Sequence, residues 1–397
     1  MRRKSVFTAV LAATALAACS ESPTAFRERD DALISANRQA VKFWETLASV
    51  SWNARAGELL ALRVQDNSRV YAYMHFAQHR AAQAALATRP HPPVSAAIGG
   101  ASAAVLAAMF PLDVAWIEAE LDAEQAATPW PGAKHANVAA GEALGRSVAA
   151  EVMAWAAGDG IGLTDPGPAP AGGSAAGYWS AGMGPTARGA LGARTFFLES
   201  GDEFRPGPPP AFGSAEFLAA LAEVRQISDA RTAEQIANAA YWHFQQSPRM
   251  NAVMFGRARD LIVKYHRNDA EAARILFVAA ASEYDALAGC FEAKYHYWFL
   301  RPTMADPAIT VPAGVGLPPH PSYPSAHSCI SGAVTEVLAL AFPPERAELE
   351  ALAYEAGYSR VLGGIHYLFD SLAGLELGRN VAGKAWAADP NGIDITP

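Results

Sequence analysis

Cysteine is scarce in this sequence: Cys19, Cys290 and Cys329 are the only three in 397 residues. So few cysteines exclude a disulfide-rich scaffold. Cys19 ends an N-terminal targeting segment, which leaves Cys290 and Cys329. These two can form one disulfide in an oxidising compartment or remain two small buried thiols, and the sequence leaves both possibilities open.

Long apolar runs are missing after the N-terminal segment. A membrane-spanning helix needs about 20 apolar residues. The best candidate, residues 95–110, is shorter and consists mostly of small side chains. The sequence therefore argues against a multi-span membrane protein.

Positive charge is not concentrated anywhere in the chain. The 31 Lys and Arg residues are outnumbered by 39 Asp and Glu residues, and the net charge is −8. Without a basic stripe, nucleic-acid binding has no support. Alternating β-branched runs are almost absent, whereas alanine and helical patterns are abundant, so we predict an all-α protein. The length suffices for one large core or two closely packed ones.

The first residues have the features of a targeting segment. A basic start is followed by an apolar run, which Leu16-Ala17-Ala18-Cys19 closes. That tetrapeptide resembles the bacterial lipobox, in which the cysteine is lipidated and becomes the first mature residue. We therefore expect a signal peptide at 1–19, lipidation of Cys19, attachment to the membrane by this anchor only, and a place in the bacterial cell envelope facing the periplasm or exterior. The alternative is an ordinary secretory signal with a chance cysteine.

Two regions follow the signal peptide. Residues 20–213 form a helical region that ends in a long loop rich in proline and glycine (160–213), and residues 214–397 form a second helical region. The predicted helices are 29–49, 53–87, 94–109, 114–125, 137–159, 214–226, 232–246, 252–266, 270–301, 328–342, 346–360 and a last one from residue 366. His75 and His79 have a spacing that can bind zinc. Without a third ligand, core or surface histidines are the preferred interpretation.

Three short clusters near the C-terminus carry the chemistry. They are Lys294 to Pro302, then Pro324-Ser325-Ala326-His327, then Ser359-Arg360 followed by His366 and Asp370. Lys294, Arg301 and Arg360 are charged at ordinary pH, so their convergence requires an anion of high charge. Arginine forks match the oxygens of a tetrahedral oxyanion. The clusters predict a site for phosphate or a phosphate analogue.

Helical geometry supports the first cluster. If residues 283–301 are helical, Lys294, Trp298 and Arg301 share one face, with the two cations about 10 Å apart along the axis. Pro302 would end that helix, and Trp298 would be an apolar wall between the cations. His320 and Tyr323 could line the mouth of the site, whereas His296 points away and is interpreted as structural.

The clusters resemble the signature Lys-x6-Arg-Pro, Pro-Ser-Gly-His, Ser-Arg-x5-His-x3-Asp. It is shared by type 2 phosphatidic acid phosphatases, bacterial acid phosphatases and vanadium-dependent haloperoxidases. Every spacing within the clusters matches, and Ala326 replaces the glycine. Alanine keeps the N–H that would contact an oxyanion but adds a methyl group to the pocket. The resemblance implies a helical bundle of the haloperoxidase and acid phosphatase type.

The resemblance also implies roles for the residues. His366 would bond the central atom, with Asp370 orienting it, and His327 would be the general acid or base. Ser325 and the N–H of Ala326 would hold equatorial oxygens together with Lys294, Arg301 and Arg360. Ser325 is also predicted near the N-cap of the following helix, which is compatible because a helix N-terminus itself attracts anions.

One such pocket serves two chemistries. A haloperoxidase would oxidise halide with hydrogen peroxide at a vanadate bound to His366. An acid phosphatase would hydrolyse soluble phosphomonoesters through a phosphohistidine at His366 and would need no cofactor. The long helical half before the clusters and the sequence His366-Tyr367-Leu368-Phe369-Asp370 favour the haloperoxidase-like function. A third possibility is a non-catalytic lipoprotein that only binds phosphate. In each case the partner is a small molecule, and an oligomer is possible.

Overall fold

The structure is a computed structural model that describes residues 47–63, 67–126, 136–180, 187–243 and 249–395. Over these ranges the chain is built from α-helices and short 3-10 turns, with one isolated antiparallel bridge between Tyr178 and Phe299 and no strand. The prediction of an all-α fold is confirmed. No helix in the described ranges combines the length and apolarity needed to cross a bilayer. The predicted signal peptide and Cys19 lie outside the described residues.

Thirteen α-helices lie in the described part of the chain. They are α1 (Ala48–Leu62), α2 (Asn67–Ala87), α3 (Val94–Met109), α4 (Val114–Ala126), α5 (Ala136–Ala156), α6 (Ala215–Ala230), α7 (Ala233–Tyr241), α8 (Arg249–Lys264), α9 (Asp269–Tyr297), α10 (Pro302–Ala305), α11 (Ala326–Ala341), α12 (Arg346–Leu362) and α13 (Leu368–Ala387).

Helix α9 is the central element, because most of its 29 residues are buried. It begins at a capping box, in which Asn268 and Glu271 each accept the other's backbone N–H. Asp269 also accepts the N–H groups of Ala48 and Ser49 at 3.0 Å, which fixes the start of α1 against α9. On other faces α9 packs against α2 and against the C-terminal helices α11 and α13.

Helices α11 and α13 pack unusually close together because glycine faces the neighbouring backbone. A Cβ on Gly374 would lie 2.6 Å from the carbonyl oxygen of Ser325, and one on Gly378 would lie 2.3 Å from that of Cys329. Real side chains do not approach a backbone atom so closely. These glycines therefore fix the start of α11, where the second motif cluster lies, against α13.

The proline- and glycine-rich loop lies on the helices and is anchored by side chains. Asp285 of α9 accepts the N–H groups of Phe196 and Phe197 at 2.8 and 2.7 Å. Further along, Tyr297 donates to the carbonyl of Pro206 and Tyr323 donates to that of Gly207. The loop is thus tied directly to the helix that carries Lys294.

Several helix boundaries differ from the predictions. The predicted helix 53–87 is two helices, since α1 ends at Leu62 and α2 begins at Asn67. The predicted helix 270–301 ends at Tyr297, because Trp298 adopts a left-handed conformation (φ 51°) and Arg301, which precedes a proline, is extended. The interpretation of Lys294, Trp298 and Arg301 as one helix face is therefore wrong. Helix α1 runs through the predicted break between residues 49 and 53. The last helix starts at Leu368, two residues after His366.

His75, His79 and the two cysteines in the described part of the chain have structural environments. His75 is buried and contacts Asn53 and Gln78 at 2.7 Å, and His79 lies 3.0 Å from Asn391. Burial lowers the pKa of both imidazoles, so they remain neutral. Cys290 and Cys329 are free, buried thiols in one core cluster between α9 and α11.

Asp285 predicts a pH-dependent contribution to stability. Burial raises the pKa of the Asp285 carboxyl group to about 7, although the hydrogen bonds from the loop N–H groups act to lower it. Because the folded-state pKa is raised, the favourable contribution is present below pH about 4 and is lost as pH rises towards 7. The Asp285→Asn variant should therefore become more stable relative to wild type as pH rises from 4 to 7. Urea unfolding of both proteins across this range measures the difference, and a constant difference would contradict the assignment.

Candidate active site

The three sequence clusters meet at one place. Lys294 comes from the last turn of α9, and Arg301 precedes α10. The other residues lie at helix ends: Ser325, Ala326 and His327 at the start of α11, Arg360 near the end of α12, and His366 and Asp370 at the start of α13. Helix ends leave backbone groups without partners within the helix, so this arrangement suits the binding of a charged ligand.

Lys294 is fully buried and is held by backbone carbonyl groups. Its Nζ donates to the carbonyls of Pro321, Ser322 and Pro324 at 2.9, 2.8 and 2.5 Å. Burial lowers the pKa of the ammonium group to about 8. Lys294 thereby organises the backbone that leads into Ser325, and it brings a positive charge beneath that turn.

Arg301 is equally buried and connects two segments of the site. Its Nε donates to the carbonyl of His320 at 3.0 Å, and Nη1 donates to that of Ile365 at 2.7 Å. Nη1 also lies 3.3 Å from Nε2 of His366. Burial lowers the pKa of the guanidinium to about 10, so it remains charged at neutral pH.

Arg360 is the third buried cation and lines the cavity of the site. Its Nε donates to Oγ of Ser359 at 3.0 Å, and Nη2 donates to the carbonyl of Ala239. Burial lowers its pKa to about 9, and no carboxylate forms an ion pair with it among the described residues. A charge held this way favours an anionic ligand in the cavity.

His366 is oriented by Asp370 and Ser322. Its Nδ1 lies 2.8 Å from Oδ2 of Asp370, and the same oxygen accepts the hydroxyl of Ser322 at 2.5 Å. Because a carboxylate accepts and Arg301 donates, the proton belongs on Nδ1 and the lone pair on Nε2. Burial, followed by the nearby Arg301 and Lys294, lowers the pKa of this imidazole well below its usual value. His366 therefore offers a neutral Nε2 to the site.

The start of α11 provides a cradle for oxygen atoms. Oγ of Ser325 is buried and has no hydrogen-bond partner among the described residues, although Ser325 is the N-cap residue. Ala326, next to it, lines the cavity at the first turn of α11, where backbone N–H groups attract anions. An unpaired buried hydroxyl beside three cations fits a tetrahedral oxyanion such as vanadate or phosphate.

His327 lines the same cavity from the first turn of α11. Its Nε2 donates to the carbonyl of Trp242 at 2.7 Å, which leaves Nδ1 as the basic nitrogen. Burial and the charge of Arg360 lower its pKa well below the usual value. A bound anion would oppose this effect, because it stabilises the protonated imidazole. His327 can therefore accept a proton and return it while an oxyanion is present.

Sequence reasoning assigned no role to Ser322 and gave His320 only a possible place at the mouth. His320 is half-buried, lines the cavity, and its Nδ1 lies 3.1 Å from Nη2 of Arg301. Tyr323, the other candidate for the mouth, instead binds the loop through Gly207. Trp298 packs with Trp179 in an apolar cluster, and His296 is exposed. Ser322 carries no motif signal, since its role depends on the fold of the turn before Ser325.

A site with three buried cations and two imidazoles has the charge and donors that an oxyanion-binding site requires. Residues 272–392 match the sequence model of the PAP2 superfamily, as the clusters predicted. A comparison with curated proteins gives no significant match.

Three solved structures share the fold. A bacterial vanadium-dependent iodoperoxidase has a TM-score of 0.69 and 22% identity, covering 84% of this chain and 94% of its own. A bacterial vanadium-dependent chloroperoxidase in its holo form has a TM-score of 0.59 and 15% identity, covering 80% and 91%. An apo form of such a chloroperoxidase has a TM-score of 0.61 and 14% identity, covering 80% and 93%. The predicted architecture is thus confirmed.

The Arg360→Ala variant should bind vanadate and phosphate about 10- to 150-fold more weakly than wild type. A buried hydrogen bond to a charged group is worth about 1.5–3 kcal/mol, and Arg360 is the cation that lines the cavity. Calorimetric titration with each anion measures the effect. Arg379→Ala, which removes an exposed arginine of α13, is the matched control and should change little. Equal affinity in wild type and Arg360→Ala would place the anion pocket elsewhere.

The Ser322→Ala variant should weaken vanadate binding about 10- to 100-fold, because Asp370 then holds His366 less firmly and the loss of such a supporting partner typically lowers the affinity of a ligating histidine by this factor. Ser331→Ala is the control. Ser331 is also a buried serine of this region, but it donates to backbone carbonyls and does not contact Asp370. Vanadate titration and urea unfolding of both variants separate orientation from stability. Similar vanadate affinities in the two variants would show that Ser322 is merely structural.

Proposed function

We propose that this protein is a vanadium-dependent haloperoxidase-like enzyme that oxidises halide with hydrogen peroxide. The observation that carries the proposal is the state of His366: Asp370 holds Nδ1, and the lone pair on Nε2 remains beside Arg301. A neutral imidazole presented in this way is a ligand for a central atom surrounded by oxygen. The three buried cations meet the negative charge of those oxygens.

The similarity of fold favours the haloperoxidase over the phosphatase. The PAP2 model matches only residues 272–392, and it describes an oxyanion site that both chemistries use. The likeness to the bacterial iodoperoxidase and chloroperoxidases covers 80–84% of this chain, so it extends well into the N-terminal half. That half contributes Asn67, Ser68, Ala187 and Gly189 to the lining of the cavity.

Several residues of this chain would together bind vanadate, each in a different way. Nε2 of His366 would bond the central atom, and Arg360, the hydroxyl of Ser325 and the N–H of Ala326 would contact the oxygens. The N–H groups of Lys294 and Arg301 are bound within the protein, so these two residues would contribute positive charge rather than direct hydrogen bonds. Bound vanadate would supply Lewis-acid activation of hydrogen peroxide. Because the cations are fixed by backbone carbonyls, they need little rearrangement when negative charge develops.

His327 would move the proton. In its neutral form Nδ1 can take a proton from hydrogen peroxide that enters the cavity, while Nε2 stays bound to the carbonyl of Trp242. Arg360 disfavours the resulting imidazolium, and the anion favours it, so the proton can be returned to a leaving oxygen. In a phosphatase the same imidazole would protonate the leaving alcohol.

The two histidines should fail in different ways. His366→Ala should lose retention of vanadate and activity together, because it removes the atom that bonds the centre. His327→Ala should keep much of the anion binding but lose turnover by about 100- to 10,000-fold, the usual effect of removing a positioned proton-transfer group. The measurements are vanadate titration and iodide and bromide oxidation with peroxide and added vanadate. Hydrolysis of a phosphomonoester without vanadate is assayed in parallel.

His296→Ala serves as the control, since His296 is exposed on the same helix as Lys294. It should match wild type in both assays. Loss of anion binding in His327→Ala with retention in His366→Ala would reverse the roles. Phosphomonoester turnover without halide oxidation would establish the phosphatase instead, and binding without either activity would refute an enzyme.

A further inference from the structure

The cavity above the oxyanion site is much larger than inorganic substrates require. Its volume is about 400 Å³. Sites for small organic molecules are about 300–1,000 Å³, whereas a single water occupies about 30 Å³. An oxyanion and a halide, each comparable to a few waters, would fill only a small part of this space. The remainder has the dimensions of an organic ligand.

The shape of this space follows helix α9. Glu283, Leu287 and Phe291 line the cavity at intervals of four residues, and Lys294 lies on the same face below the oxyanion end. At 1.5 Å per residue, Glu283 is about 12 Å from Phe291 and about 16 Å from Lys294 along the axis. The cavity therefore extends from the oxyanion site towards Glu283.

The middle of the cavity is apolar. Its walls are Ala187, Gly189, Leu287, Phe291, Pro319 and Ile330. Phe291 meets His320 edge to face, with ring centroids 5.1 Å apart, so the apolar wall continues directly into the catalytic groups. Gly189 lies against the Phe291 ring at a positive φ of 50°, and a Cβ there would come within 2.3 Å of the ring. The loop backbone thus forms a close-fitting wall opposite α9.

The far end of the cavity is polar. Glu283 is 1% exposed and accepts the amide of Asn251 at 2.6 Å. Asn67 and Ser68, at the start of α2, line the cavity beside it. A carboxylate has about four lone-pair sites, so Glu283 can accept a ligand's donor in addition to the partners it has within the protein. This end is suited to the hydroxyl or amine of a ligand whose apolar body lies between Leu287 and Phe291.

We propose that this cavity binds an organic substrate with an apolar body and a hydrogen-bond-donating end, the donor at Glu283 and the body facing the oxyanion site. The proposal deepens the proposed function, since that function would make the bound molecule the acceptor of the oxidised halogen. Hypohalous acid, formed from halide and hydrogen peroxide, would transfer its halogen to a ring carbon of the substrate. The carbon–halogen bond replaces a ring C–H bond, and the displaced proton leaves with the hydroxide as water. The choice of substrate for halogenation would then depend on binding in the cavity as well as on the intrinsic reactivity of the substrate.

The test uses tyramine, a phenol with an amine at its other end, and 4-ethylphenol, which has the same phenol body but no donor at that other end. Calorimetry on vanadate-loaded protein without peroxide should show tyramine binding at least tenfold more tightly than 4-ethylphenol. Glu283→Gln should remove that preference. Leu287→Trp should weaken both ligands at least tenfold by filling the cavity, whereas Leu372→Trp, at an exposed position of α13, should leave both unchanged. Glu283→Gln nearly preserves side-chain size, so it decides the matter if Leu287→Trp fails to fold.

Halogenation of an equimolar mixture of the two phenols gives the second readout. With peroxide and iodide, tyramine should be consumed preferentially by wild type, and Glu283→Gln should return the product ratio to that of free hypoiodous acid. Absence of tyramine binding, or equal binding of both phenols by wild type and Glu283→Gln, would overturn the proposal whether or not halide is oxidised. Binding with the expected preference but no halide oxidation would support the cavity assignment and refute the haloperoxidase.

Discussion

The structure depends on the burial of three fixed positive charges at one site. Lys294, Arg301 and Arg360 are each at most 1% exposed. Transfer of such groups from water is expensive unless every donor finds an acceptor. Here the acceptors are mostly backbone carbonyls, from Ala239, the turn 320–324 and Ile365. Because carbonyls carry no net charge, the donors are satisfied while the positive potential persists, and that potential favours a negatively charged ligand at the site.

The surrounding fold serves this constraint. Carbonyls can converge on a buried cation only if the turns that carry them are held rigidly. The close contact of Gly374 with the carbonyl of Ser325 holds the turn 320–324 against α13, and the hydrogen bond from Tyr323 to Gly207 holds the same turn against the loop. Asp370, the carboxylate of the site, is shared by Ser322 and His366 and so orients the imidazole. Rigid supports of this kind let His366 and His327 face one anion from different helices.

Sequence reasoning could find the cations and imidazoles of the candidate site, because such residues at fixed spacings have few structural explanations. It could also predict an all-α fold from periodicity. It could not predict the relative positions of Lys294 and Arg301. The helix ends because Trp298 adopts a left-handed backbone conformation, and the sequence around Trp298 does not require that conformation. Sequence reasoning did not identify Ser322, because a serine in a turn has no special significance until the fold places Asp370 beside it. It did not identify Glu283 either, because a carboxylate within a long helix gains significance only when the lining of the cavity is known.

Helix α9 carries both Lys294 of the candidate site and Glu283 at the polar end of the cavity. The helical rise therefore fixes the distance between these two groups. A single inserted residue between Glu283 and Lys294 would turn one group about 100° away from the other, whereas three or four residues would lengthen the space by about one 5.4 Å turn and keep both in line. In related chains, the number of residues between such a carboxylate and the lysine should thus register the length of the molecule that each enzyme accommodates.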